Sequence, residues 1–322
     1  MTGNSYGSQF FVELNELLKS VDTVKTLLLA DIFTTRKEDI LVSCELIVQG
    51  FSNKNIKFFD ISNNALCPDG CKIIGKLFKT NQSIKYLWLN HVAFSRDGTE
   101  YISQAIEEAK MDLVSLQVNK NRMGEKGYFF GRMLASQTNL KDLILYQNDL
   151  KDGCLLDHVK SIKVLQKLEI LDLSDNLFNS ENFEVFCESL LYLKDLKTLN
   201  ISDCNINPTQ SKHFIKILDK FSEFSCLEKF CYNYNEIDEE DLKEFFDVLS
   251  RFKNLKNIEC KIELEDEHID YAKNVLEEID EINLILESDE EMSIETENEE
   301  DVKKKEEQEF KDFLNNLETL KI

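Results

Sequence analysis

One phrase, Leu-x-Leu-x-x-Asn-x-Leu or a close variant, returns about every 28 residues of this chain, and no other feature narrows the possible folds so far. It reads Asp60-Ile61-Ser62-Asn63-Asn64-Ala65-Leu66, then Leu87-Trp88-Leu89-Asn90-His91-Val92-Ala93-Phe94. It recurs at Leu116 to Met123 and at Leu143 to Leu150, with later copies centred on Asn176, Cys204 and Asn235. The asparagine-equivalent positions are 64, 92, 121, 148, 176, 204 and 235, with steps of 28, 29, 27, 28, 28 and 31. Within the phrase, Leu, Ile and Val alternate at a period of two, which reads as a strand. The stretch after it has helical spacing, as in Ile73, Ile74, Leu77 and Phe78, in Phe129, Phe130, Met133 and Leu134, and in Phe214, Ile215, Leu218 and Phe221.

An apolar helical face needs a neighbour to cover it, so such units stack. The expected architecture is an α/β leucine-rich repeat solenoid, a ribonuclease-inhibitor-like horseshoe with a parallel β-sheet on the concave face and α-helices on the convex face. The repeat asparagine sits just past the strand, where its side chain can satisfy backbone groups of the neighbouring turn. Cys204 is an accepted substitute, whereas Val92 cannot do this and marks a break in the middle of the array. A helix near Phe10 to Leu18 leads into the first strand, and the last repeat, Leu255 to Leu264, is degenerate, as in a cap. A helix through Tyr271, Val275, Leu276 and Ile279 is expected to close the solenoid. The repeat domain is thus expected over 1–286, a disordered acidic tail over 287–309 and a short amphipathic helix over 310–322. The tail holds 12 acidic residues and three lysines, too charged to bury a core.

A formal charge of -23 argues against nucleic acid, which needs a basic surface, and favours a protein partner with basic patches. The first residues lack a basic and apolar leader, and no apolar run approaches a membrane span, so the nine cysteines are read as reduced thiols of a cytoplasmic protein. Several motifs are decoys. Gly70-Cys71-Lys72-Ile73-Ile74-Gly75-Lys76 matches most of a phosphate loop, but Leu77 stands where Ser or Thr must hold magnesium. Gly3-Asn4-Ser5-Tyr6-Gly7 has the letters of a nucleophile elbow without its strand. Cys67, Cys71, His158, His213 and His268 do not assemble a metal spacing, so no metal or catalytic centre is expected. Phe313, Leu317, Leu320 and Ile322 fit both a nuclear export signal and a plain amphipathic helix.

From about residue 10 to residue 310 the chain resembles the Ran GTPase-activating protein (RanGAP) family. Asp31-Ile32-Phe33-Thr34-Thr35-Arg36 is close to that family's Asp-Ile-Phe-Thr-Gly-Arg, and Lys120-Asn121-Arg122-Met123 to its Arg-Asn-Arg-Leu. Leu171-Asp172-Leu173-Ser174-Asp175-Asn176, Asp203-Cys204 and Tyr234-Asn235-Glu236-Ile237 match further repeats. The resemblance implies an activator, not an enzyme, that stimulates GTP hydrolysis by a Ran-type small GTPase in its GTP form and so supports nucleocytoplasmic transport. It implies no arginine finger: the GTPase brings its own glutamine, and an asparagine of the activator holds it. That asparagine precedes the repeat asparagine in the family's Leu-Tyr-Leu-His-Asn-Asn; here the position is His91, with Asn90 one earlier. Either His91 donates in its place, or Asn90 is presented by a local shift, or activity is weakened. Arg36, with Lys37 beside it, and Arg122 match GTPase-binding positions, against the plain alternative of solvated rim charges. The family usually begins with another repeat before Asp31, where here one helix and strand stand. Mg²⁺ and GTP belong to the GTPase, so no cofactor is implied. Ran-binding transport factors are further expected partners, membranes are not, and the nuclear envelope or shuttling would extend the cytoplasmic location. The rival is a non-catalytic leucine-rich repeat scaffold that binds proteins, as a ribonuclease inhibitor or a tropomodulin-type domain does.

Overall fold

Each repeat folds as one short strand followed by one helix. The computed structural model describes residues 2–33, 37–261, 266–277, 279 and 281–285. The strands are β1 Thr26–Leu28, β2 Phe58–Asp60, β3 Tyr86–Trp88, β4 Ser115–Gln117, β5 Asp142–Ile144, β6 Ile170–Asp172, β7 Thr198–Asn200, β8 Lys229–Cys231, β9 Asn257–Lys261 and β10 Glu281–Ile285. The helices are α1 Ser8–Leu18, α2 Lys37–Phe51, α3 Cys67–Thr80, α4 Ser95–Glu108, α5 Gly127–Leu134, α6 Asp152–Ile162, α7 Ser180–Leu190, α8 Pro208–Ser222, α9 Glu239–Leu249 and α10 Asp266–Val275. All ten strands pair in parallel and in chain order. This is an α/β leucine-rich repeat solenoid with the sheet on its concave side. The central strand residues, from Leu27 and Phe59 to Phe230 and Ile258, are buried against the helices. Ile73 and Phe129, expected on the apolar helical face, are only half-buried at its flank.

One expectation is corrected. The helix expected to close the array through Ile279 stops at Val275, and β10 follows, adding a parallel rung in register with β9. Ile282 and Leu284 alternate at a period of two, a strand signature that ends the helical one. The acidic tail expected over 287–309 and the terminal helix over 310–322 lie outside the described residues.

The repeat asparagines form a ladder inside the turns that follow the strands. The Asn148 Oδ1 accepts the Asn121 N–H at 3.0 Å, and its Nδ2 donates to the carbonyls of Val118 at 2.6 Å and Leu145 at 2.7 Å. Asn176 repeats the pattern, accepting the N–H groups of Asn148 and Leu150 and donating to the Leu145 and Leu173 carbonyls. Cys204 keeps half of it, its thiol donating to the Leu173 and Ser202 carbonyls. Val92 is buried and keeps none, yet the nearby carbonyls are reached from either side: Asn64 donates to Ile61 and Asn121 to Leu89. The Leu66 N–H, by its place in the repeat a partner for residue 92, turns back onto the Asn64 carbonyl at 2.8 Å.

Glycines let helices approach closely, Gly50 of α2 lying against Asn15 of α1 and two more standing where the neighbour is a Cβ or backbone. A Cβ on Gly75 would lie 2.8 Å from the Ala105 Cβ, and one on Gly131 would lie 2.7 Å from the His158 backbone nitrogen. His158 fills the space beside Gly131, its ring stacked on Phe130 at 6.0 Å. Its Nδ1 meets the Cys154 carbonyl at 2.8 Å, which fixes the hydrogen on Nδ1 and leaves the buried Nε2 bare, with no hydrogen-bond partner among the described residues. Burial holds its pKa down, from 6.5 to about 4.

Two tests follow from this packing. Asn148→Val strips one acceptor and three carbonyl contacts from a buried turn and is expected to cost about 2 to 5 kcal/mol in urea unfolding; a loss below about 1 kcal/mol would contradict the ladder's role. A histidine whose pKa is lowered by folding contributes stability above pH 6.5 that is lost as pH falls towards 4. His158→Gln is therefore expected to flatten the acid limb of stability between those values, by about 3 kcal/mol at most.

Candidate functional site

The turn that follows each strand ends in a row of outward-facing residues. The residue before each ladder position has a positive φ: Asn63 at 56°, His91 at 50°, Lys120 at 56°, Gln147 at 55°, Asp175 at 52°, Asp203 at 52° and Tyr234 at 57°. Left-handed backbone is costly for residues other than glycine, so its recurrence at one repeat position is imposed by the stack. Each of these N–H groups donates to the next rung, His91 to the Asn119 carbonyl at 2.7 Å and Lys120 to the Tyr146 carbonyl at 3.1 Å. The side chains are thereby turned to the rim. The strain belongs to every rung and does not by itself single out His91.

His91 is exposed, and its ring makes no hydrogen bond to the described residues. Asn90 is half-buried and engaged: its Oδ1 accepts the Asn119 N–H at 3.0 Å, and its Nδ2 donates to Gln117 Oε1 at 3.2 Å. Arg122 is exposed on the next rung, also left-handed at 51°. Lys37 opens α2, two rungs before His91, and pairs with Asp69 of α3 at 3.2 Å, a contact between exposed groups that contributes little. Arg36 lies outside the described residues. Its neighbours Ile32 and Phe33 are buried, and their N–H groups both donate to the Asn64 Oδ1. Thus His91 and Arg122 occupy adjacent rungs and Lys37 stands apart.

Two further cations share this edge and were not singled out from the sequence. Lys120 occupies on its rung the place His91 has on the previous one, a correspondence readable from the repeat alignment, and its Nζ lies 5.4 Å from the Tyr146 ring centre. Arg96, just after the His91 turn, reaches Glu125 at 3.5 Å. Farther along, the rim becomes acidic at Asp149, Asp175 and Asp203, where burial and then the charge of Asp203 raise the pKa of Asp175. Beneath the His91 turn the sheet carries aromatics, with Trp88 edge-on to Phe58 at 5.0 Å. Beside them Asp60 is buried, which raises its pKa, while the Ser62 hydroxyl and N–H lower it in part.

The decoys resolve structurally. Gly70 to Lys76 lies inside α3, with Ile74 and Leu77 in the core, and offers no loop to cradle a phosphate. Asp238, Glu240 and Asp241 bring carboxylates within 4.8 Å of one another, but the Lys212 ammonium already holds Glu240 at 3.2 Å and Asp241 at 2.9 Å. No helix among the described residues is long and apolar enough to cross a membrane.

No family model matches the chain. Its sequence is 24% identical over 296 residues to Ran GTPase-activating protein 1 of Saccharomyces cerevisiae, covering 86% of this chain and 72% of that protein. It is 24% identical over 215 residues to the ribonuclease inhibitor of Mus musculus, covering 65% of this chain but 46% of that protein. Among solved structures, an internalin from Listeria monocytogenes superposes with a TM-score of 0.37 at 12% identity, covering 84% of this chain and 89% of that one.

Because the left-handed turn at residue 91 suits glycine, His91→Gly is expected to leave the protein as stable as the parent or up to about 1 kcal/mol more stable. Chemical denaturation checks this, and a loss of more than about 1 kcal/mol would mean that the imidazole carries structural weight.

Proposed function

We propose that this chain is a GTPase-activating protein for a Ran-type small GTPase in its GTP form. The observation that carries the reading is the presentation of His91, Lys120 and Arg122, side by side on adjacent rungs of a rigid rim, in a chain whose similarity to the yeast activator extends over 86% of its length. A side chain fixed on such a rim can hold a partner's reactive group still without reacting itself. In phosphoryl transfer positioning and electrostatics supply most of the acceleration. The exposed imidazole of His91 would hold the GTPase's own glutamine against the attacking water, and Arg122, with Arg36 and Lys37, would engage the GTPase near the nucleotide. Mg²⁺ and GTP are the partner's. The cell biology that follows is nucleocytoplasmic transport from the cytoplasm, with Ran-binding transport factors as further partners.

Single-turnover hydrolysis by a Ran-type GTPase loaded with GTP, with this chain in catalytic amounts, tests the reading. Acceleration is expected, and His91→Ala is expected to reduce it about 10² to 10³-fold, equivalent to about 3 to 4 kcal/mol of barrier. Full acceleration by His91→Ala would remove the imidazole from the mechanism. Binding without acceleration would favour a scaffold, the second reading supported by the similarity to the ribonuclease inhibitor.

A further inference from the structure

We propose that Asn90 is a positioning residue for His91, gripping the turn from which the imidazole projects in the one rung whose ladder position holds Val92. The inference rests on the GTPase-activating reading and divides the labour between two neighbouring side chains.

The inner ladder is interrupted at Val92, as described above, and a second set of hydrogen bonds runs just outside it at that place. The Ser62 Oγ accepts the Asn90 N–H at 3.1 Å, the Asn90 Oδ1 accepts the Asn119 N–H at 3.0 Å, and the Asn119 Oδ1 accepts the Tyr146 N–H at 3.1 Å. The Asn119 and Asn233 amides make this contact two residues before the intact ladder asparagines Asn121 and Asn235, the latter with the Ser202 Oγ accepting the Asn233 N–H at 3.1 Å and the Asn233 Oδ1 accepting the Lys261 N–H at 2.9 Å, whereas Asn90 makes it beside Val92. Between these stretches Asn148 and Asn176 occupy the inner positions with their full sets of bonds.

At His91, as at Lys120 and Tyr234, the outer bond and the N–H of the left-handed residue converge on one residue of the next rung. One residue, Asn119, is gripped on both sides: its N–H by the Asn90 Oδ1 at 3.0 Å and its carbonyl by the His91 N–H at 2.7 Å. The Asn90 amide and the left-handed His91 peptide are thus pinned to the same point of the next rung. On an ordinary rung the ladder asparagine pins this turn itself, as Asn148 does by donating to the carbonyls of Leu145 and Tyr146 on the near side of Gln147. Val92 has no group to do so. Asn90, half-buried and bonded through both Oδ1 and Nδ2, supplies the missing hold and has little freedom to reach a partner.

Four variants separate positioning from direct contact: Asn90→Ala, Asn90→Asp, Val92→Asn and Asn90→Ala with Val92→Asn. The rate of GTP hydrolysis is followed against activator concentration, and backbone hydrogen exchange is followed on the free activator. Asn90→Ala is expected to lower the maximal rate by about 10 to 100-fold, with a smaller change in the half-saturating concentration, because a displaced imidazole docks but misplaces the glutamine. Faster exchange is expected at His91 and Asn119. Asn90→Asp, which keeps the acceptor for the Asn119 N–H, is expected to retain most of the rate. Val92→Asn, which returns a ladder asparagine to the turn, is expected to leave the rate near wild type and to restore both rate and protection in the Asn90→Ala background. Unchanged exchange at His91 and Asn119 in Asn90→Ala, or a double variant that regains protection but not rate, would overturn the inference, the latter by showing that the Asn90 amide acts on the GTPase directly. If the wild-type chain gives no acceleration, the GTPase reading falls and with it the catalytic half of this inference, while the exchange results still decide whether Asn90 grips the turn.

Discussion

A peptide group buried without a partner costs more than one hydrogen bond returns, and stacked repeats bury a turn at every rung. One side chain meets that demand on every rung from Asn64 to Asn235 except that of Val92. An asparagine suits it because its amide both donates and accepts, so it can close a turn in its own rung and hold the neighbouring one. The repeat length, the parallel register and the row of left-handed residues all follow from keeping that amide in reach of the next turn. The rim is therefore a by-product of backbone satisfaction, and the backbone of any residue placed on it is held by the stack.

Much of this was legible in the sequence because its signals are local. The two-residue and 3.6-residue periods marked strands and helices, and the asparagine spacing fixed the stacking interval. The left-handed row was hidden, since glycine usually advertises such turns and here they are filled by His91, Lys120 and Tyr234. The gap at Val92 was visible, but its compensation depends on contacts between residues 27 to 29 positions apart, from Ser62 to Asn90, Asn119 and Tyr146. The choice between Asn90 and His91 is likewise closed to one-dimensional reading. Their letters sit side by side, and only burial and hydrogen bonding separate an engaged amide from an exposed imidazole.

The rim also shows how an acidic chain can present a local cationic edge. Lys120 and Arg122 share adjacent rungs with His91, while Asp149, Asp175 and Asp203 gather farther along. Below the cationic stretch the sheet offers packed aromatics and a carboxyl, Asp60, whose ionisation burial opposes.

The glycines at 75 and 131 have a consequence for the arc itself. A solenoid bends because its helices, packed about 10 Å apart, take more room than strands about 4.8 Å apart. Where α3 meets α4 and where α5 meets α6, the absent side chains let the two helices come into contacts that a Cβ would break. The spacing of the outer layer is thus set partly by atoms that are missing, and a larger residue at either position would have to wedge its two helices apart.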